Sequence, residues 1–77
     1  MSMVALDLDN GYTLSIIADV SGSVEVALLH DHTFVNTRYW YYTNIKFDDD
    51  YDDVVRYLDA DKLVTALVKA KAYARGE

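Results

Sequence analysis

Residues 12–30 decide the fold: Tyr12-Thr13-Leu14-Ser15-Ile16-Ile17-Ala18-Asp19-Val20-Ser21-Gly22-Ser23-Val24-Glu25-Val26-Ala27-Leu28-Leu29-His30. Tyr12, Leu14, Ile16, Ala18 and Val20 alternate with Thr13, Ser15, Ile17 and Asp19, and Val24, Val26, Leu28 and His30 alternate with Glu25, Ala27, Leu29 and Asp31. Side chains on a strand point to opposite faces in turn, so each run reads as a half-buried strand. Ser21-Gly22-Ser23 is the turn between them. Upstream, Val4, Leu6 and Leu8 repeat the alternation and lead into Asp9-Asn10-Gly11, where Asn-Gly tolerates positive φ and marks a hairpin. Downstream, a third turn falls near Asp31-His32-Thr33, and a run rich in aromatics and Thr continues from Phe34 to Phe47 as a fourth strand.

The period changes after Phe47. Tyr51, Val54, Val55 and Leu58 fall at i, i+3, i+4 and i+7, which favours a short helix over 51–58, with a fifth strand as the alternative because Val-Val-Arg-Tyr suits a sheet. Asp59 is an N-cap, and a helix follows from about Ala60 to Ala74, ended by Gly76. Its stripe is Leu63, Val64, Leu67, Ala70, Lys71 and Ala74, docked through Leu63 and Leu67. The sheet face of Val4, Leu6, Leu8, Leu14, Ile16, Val26 and Leu28 is the partner. The expected fold is α+β: an antiparallel meander of about four strands with a C-terminal helix on one face, one domain over 1–77.

Composition narrows the function. The 77 residues contain no cysteine, which excludes disulfides and thiolate metal sites. No apolar run reaches the ~18 residues that span a membrane, and no signal peptide is visible, so the expected location is cytoplasmic. The net charge of −6 is uneven. Residues 1–53 carry ten acids against Arg38 and Lys46, a net −8, whereas 54–77 carry three acids against five bases, a net +2. A body so acidic repels phosphate backbones and anionic lipid, so no direct nucleic-acid or membrane binding is expected.

Few constellations support catalysis. Ala5-Leu6-Asp7-Leu8-Asp9-Asn10-Gly11 resembles the first motif of haloacid-dehalogenase-type phosphatases. That chemistry needs Mg²⁺, further carboxylates, a phosphate-binding lysine and a parallel sheet from a much longer chain, and here a strand follows the turn. The same stretch fails as an EF-hand, since Gly11 comes too soon after Asp7 and no Glu closes the loop. His30-Asp31-His32 could place two imidazoles on one face, but no third or fourth ligand is nominated, and a polar turn at a strand end explains the trio. No serine has nucleophile-elbow spacing and the glycines make no phosphate cradle. The expectation is a protein that is not an enzyme and takes no cofactor or metal.

Two stretches remain as candidate partner-binding residues. Asp48, Asp49, Asp50, Asp52 and Asp53 surround Tyr51, a self-repelling cluster that suits a basic partner or a solvated loop opening a helix. Asp7, Asp9, Asp19, Glu25 and Asp31, on the non-core face or at its ends, are compatible with mimicry of phosphates. Arg38-Tyr39-Trp40-Tyr41-Tyr42, read as a strand, places Trp40 and Tyr42 on the outer face beside Ile17, Ala27, Leu29 and Phe34. Arg38, Tyr39, Trp40 and Tyr42 are then anchors of the types that dominate interfaces. In size, charge and composition the chain resembles phage-encoded accessory proteins such as anti-restriction, anti-CRISPR and glycosylase-inhibitor proteins. That resemblance implies an inhibitor or DNA mimic occupying a protein partner's basic surface. The alternative is a structural or regulatory module that self-associates, as a homodimer, through the aromatic face or an edge strand.

Overall fold

The computed structural model describes residues 2–42 and 50–77. Strands β1 (Ser2–Asp7), β2 (Tyr12–Ala18), β3 (Val24–His30) and β4 (Thr33–Val35) form an antiparallel meander. A short helix α1 (Thr37–Trp40), a fifth strand β5 (Val54–Leu58) and the long helix α2 (Ala60–Ala74) complete the α+β fold. β3 is the hub. β2 pairs along one edge, while β4 and β5 share the other end to end, β4 against Leu28–His30 and β5 against Val24–Ala27.

The turns follow from the residues at positive φ. Asp31 and His32 sit at φ 49° and 69° between paired His30 and Thr33, the geometry of a two-residue hairpin whose twist matches the strands. At the β2–β3 turn Gly22 takes φ 88°, its N–H donates to the Asp19 carbonyl, and the Asp19 N–H donates to Ser23. In the first hairpin Asn10 and Gly11 take φ 58° and 80°. A Cβ on Gly11 would lie 2.8 Å from Asp31 Oδ1, the tip of an exposed side chain free to move aside, so it is φ rather than space that favours glycine there.

Helix α2 has the bounds its sequence predicts. Asp59 caps it by accepting from the Lys62 N–H at 2.9 Å. At the other end Gly76, at φ 81°, donates to Tyr73 and Glu77 donates to Ala72, the paired bonds of a Schellman ending. Asn10 Nδ2 donates to the Ala74 carbonyl at 2.8 Å, tying the first hairpin to the last turn of the helix. The docking face, however, is an alanine ridge. Ala66, Ala70 and Ala74 are buried, with Leu63 and Leu67 half-buried beside them and Val64 exposed. Side chains this small let the helix backbone settle close onto Leu14, Val26, Leu28, Val55 and Leu58.

Three expectations are corrected. Residues 54–58 form a strand and not a helix. β4 is short and leaves the Val24–Ala27 part of β3 unpaired, and β-branched Val54 and Val55 fill it. The misleading spacing comes from a bulge: Tyr57, at φ 60°, adds a residue, so Val55 and Leu58 both reach the core at 3% exposure although their separation is odd. The fourth strand stops at Val35, because the Asn36 side chain accepts from the Arg38 N–H at 3.0 Å and starts α1. Its continuation through 43–47 lies outside the described residues. Finally, Val4 and Leu6 are not covered by α2: all six β1 residues are exposed.

Candidate protein-interaction surface

The two predicted binding stretches meet, but not on the sheet face. Helix α1 turns Trp40 inward, where it is 5% exposed and its Nε1 has no hydrogen-bond partner among the described residues. Trp40 is therefore a core residue and is withdrawn as a surface anchor. Tyr39, its neighbour on the four-residue helix, points outward at 64% exposure. Tyr42 lies off the sheet, 5.1 Å ring to ring from Tyr51, and the Arg38 guanidinium stands 5.5 Å from the same Tyr51 ring. Asp48 and Asp49 lie outside the described residues.

The rest of the acidic stretch is tied down. The Asp52 carbonyl accepts from both Thr37 N–H (3.1 Å) and Thr37 Oγ1 (2.6 Å), and Asn36 Nδ2 donates to the Tyr51 carbonyl. Thr37 is fully buried, so this junction holds 50–53 against the start of α1 just before β5. The Asp52 carboxylate pairs with Arg56, and the hydrogen bond from that guanidinium, with a second from the Asp53 N–H, holds it below the usual carboxylate range. Asp50 and Asp52 are exposed and Asp53 is half-buried. Tyr41 packs inward of this loop. Burial, then the nearby Tyr42 and Asp59, push its hydroxyl above the usual value, and Lys69 Nζ donates to its carbonyl.

The outer sheet face is apolar without Trp40 or Tyr42. Met3, Ile17, Ala27, Phe34 and Val54 line a shallow groove of about 260 Å³ there, with Glu25 on its edge. Met3 and Phe34 are 70% and 54% exposed. At one end Phe34 continues into a second hollow with Tyr39, Asp31 and Asp53. At the other, Ile17 and Glu25 adjoin Asp19 and the bulge residue Tyr57, at 79% the most exposed aromatic among the described residues. The face is thus an apolar strip with carboxylates at both ends. Ile17, Ala27, Leu29 and Phe34 were legible from parity, and Met3 belongs to the same parity. Val54 joins only through the pairing of β5, and nothing in the sequence marks Tyr57.

His30 does not combine with His32 in a ligand set. Its ring stacks on Tyr12 at 4.2 Å, and Nε2 lies 3.1 Å from the Asn10 carbonyl. Among the described residues no three His, Cys, Asp or Glu side chains are grouped as metal ligands. No helix among them is long and apolar enough to cross a membrane. Comparison with protein-family models, with curated protein sequences and with solved structures finds no match.

Proposed function

We propose that this chain is a non-enzymatic binding protein, an inhibitor or accessory module that occupies a basic surface of another protein. The observation that carries the reading is the outer sheet face, an apolar strip from Met3 to Phe34 with Asp31 and Asp53 at one end and Asp19 and Glu25 at the other. An apolar centre rimmed by one sign of charge suits a partner with lysines or arginines around an apolar contact. The carboxylates would steer encounter and stand where a nucleic acid's phosphates otherwise sit, as in a DNA mimic. Phe34, Tyr39 and Tyr57 would supply the desolvated anchors. A cysteine-free domain fits a reducing compartment, so the partner is expected in the cytoplasm.

The test is affinity capture from native lysate at low and high salt, followed by binding measurements with the purified partner. Asp19→Asn with Glu25→Gln should slow association and flatten its salt dependence. Phe34→Ala should speed dissociation while leaving the fold intact, since the ring is more than half exposed. Two variants that bind as wild type does would remove the outer face from consideration.

A further inference from the structure

We propose that β1 is a pairing edge for a second copy of this chain, joining two sheets antiparallel about a twofold axis through Ala5. This edge adjoins the acid-rimmed outer face, with which it shares Met3, and does not rest on the function proposed for it.

The two edges of the sheet are built differently. The β4/β5 edge is divided between a three-residue strand and a strand bulged at Tyr57, and it carries Arg56, all devices that discourage a further strand. β1 is neither short nor bulged, and its one charge, Asp7, stands at its last position. Its six residues pair with β2 in an unbroken register, and it contains no proline, lysine or bulge. Among the described residues nothing pairs with its outer side.

The direction of the backbone groups fixes the register. Leu8 N–H donates to the Tyr12 carbonyl. Hydrogen-bonded pairs alternate along an antiparallel ladder, so Leu6 and Val4 also bond inward to Leu14 and Ile16. Met3, Ala5 and Asp7 therefore turn their N–H and C=O groups outward. Antiparallel pairing of Ala5 with Ala5 of the second copy, and of Met3 with Asp7, satisfies all of them, each pair exchanging two N–H···O bonds. Val4 then lies across from Leu6, and the uncovered apolar strip of each copy, 51% and 40% exposed at these residues, is extended by that of the other.

Charge selects a second copy in this orientation. Ser2–Leu6 is free of charge in a chain of net −6, so like copies repel least along this seam. Parallel pairing would set the two Asp7 side chains together. The antiparallel register separates them by four residues, about 14 Å, which exceeds the Debye length of ~8 Å. The seam engages the six residues of β1 on each side, against about 20–30 in a standard interface, so the dimer is weak and depends on concentration.

Sedimentation of the purified chain across roughly 10 µM to 1 mM tests this. Average mass should rise toward twice 8.8 kDa and should not fall when salt is raised. Ala5→Pro removes only an outward N–H, so it should remain monomeric with a wild-type circular dichroism spectrum. In this cysteine-free chain Ala5→Cys creates one thiol, which the register places about 5.5 Å, Cα to Cα, from its counterpart, within disulfide range. Mild oxidation should cross-link Ala5→Cys, and not Ser21→Cys on the β2–β3 turn. A chain that stays monomeric throughout, or a folded Ala5→Pro variant that dimerises as wild type does, would overturn the proposal. So would equal cross-linking at positions 5 and 21, which also decides the matter if Ala5→Pro does not fold.

Discussion

Tyr57 concentrates the tension between stability and use in one residue. A side chain at φ 60° costs about 1–2 kcal/mol relative to a relaxed backbone, and this ring, 79% exposed, gains little from packing in return. Tyr57→Gly should therefore stabilise the domain by about 1 kcal/mol, raising the thermal midpoint by about 4–8 °C, while weakening the captured partner. A lower midpoint would show that the ring packs more than its exposure suggests. Asp52 supplies a second prediction. Its carboxyl is held below the usual range by Arg56, so the pairing contributes above the unfolded value of about 4 and is lost as pH falls through the lower folded value. Asp52→Asn should remove that part of the acid dependence below about pH 4 and leave stability near pH 7 little changed, because both partners are exposed. Acid titrations of the two proteins that superimpose would mean the pairing does not persist in solution.

At the scale of elements, helix α2 was legible because three signals coincide: the Asp59 cap, the apolar spacing and Gly76. Which residues of the stripe carry the docking was not, since periodicity records direction and not depth. The deepest positions are alanines, so added volume should harm more than removed volume. Ala70→Leu forces a full side chain between helix and sheet at a fully buried site and should cost about 3 kcal/mol or more, whereas Leu67→Ala, at a half-buried site, should fall near ~2 kcal/mol, the low end for its type. Equilibrium urea unfolding of both variants checks this, and a neutral Ala70→Leu would mean the helix rides higher than the ridge implies. Strands β2 and β3 were read correctly since strict alternation and glycine turns agree. β5 was read only as the alternative to a helix because its bulge converts a period of two into a spacing of three. The aromatic stretch was misread because one hydrogen bond, donated by the Arg38 N–H to the Asn36 side chain, outweighs the strand propensity of Tyr-Trp-Tyr-Tyr.

For the molecule as a whole, the acidic first half dominates its behaviour toward other macromolecules. At physiological salt it should give no shift of duplex or single-stranded nucleic acid in a gel, and a salt-sensitive shift would count against the charge argument. Charge was fully legible in the sequence. The candidate surface was legible in part: parity found Ile17 and Phe34, but Trp40 was assigned outward when α1 turns it into the core. Exposure depends on what covers a face, and coverage is a property of the assembled molecule.

The bond from Asn10 to the carbonyl of Ala74 joins residues 64 positions apart. At ribosomal rates of about 5–20 residues per second, roughly 3–13 seconds separate the making of its two ends. During that interval the sheet face of Leu14, Val26 and Leu28 has no helix to cover it, and an emerging hairpin is a template for its neighbours. The charge of −8 on residues 1–53 builds up over that interval and is complete before any of α2 is made. Mutual repulsion between nascent chains would then help to keep the unfinished sheets apart until the helix covers them.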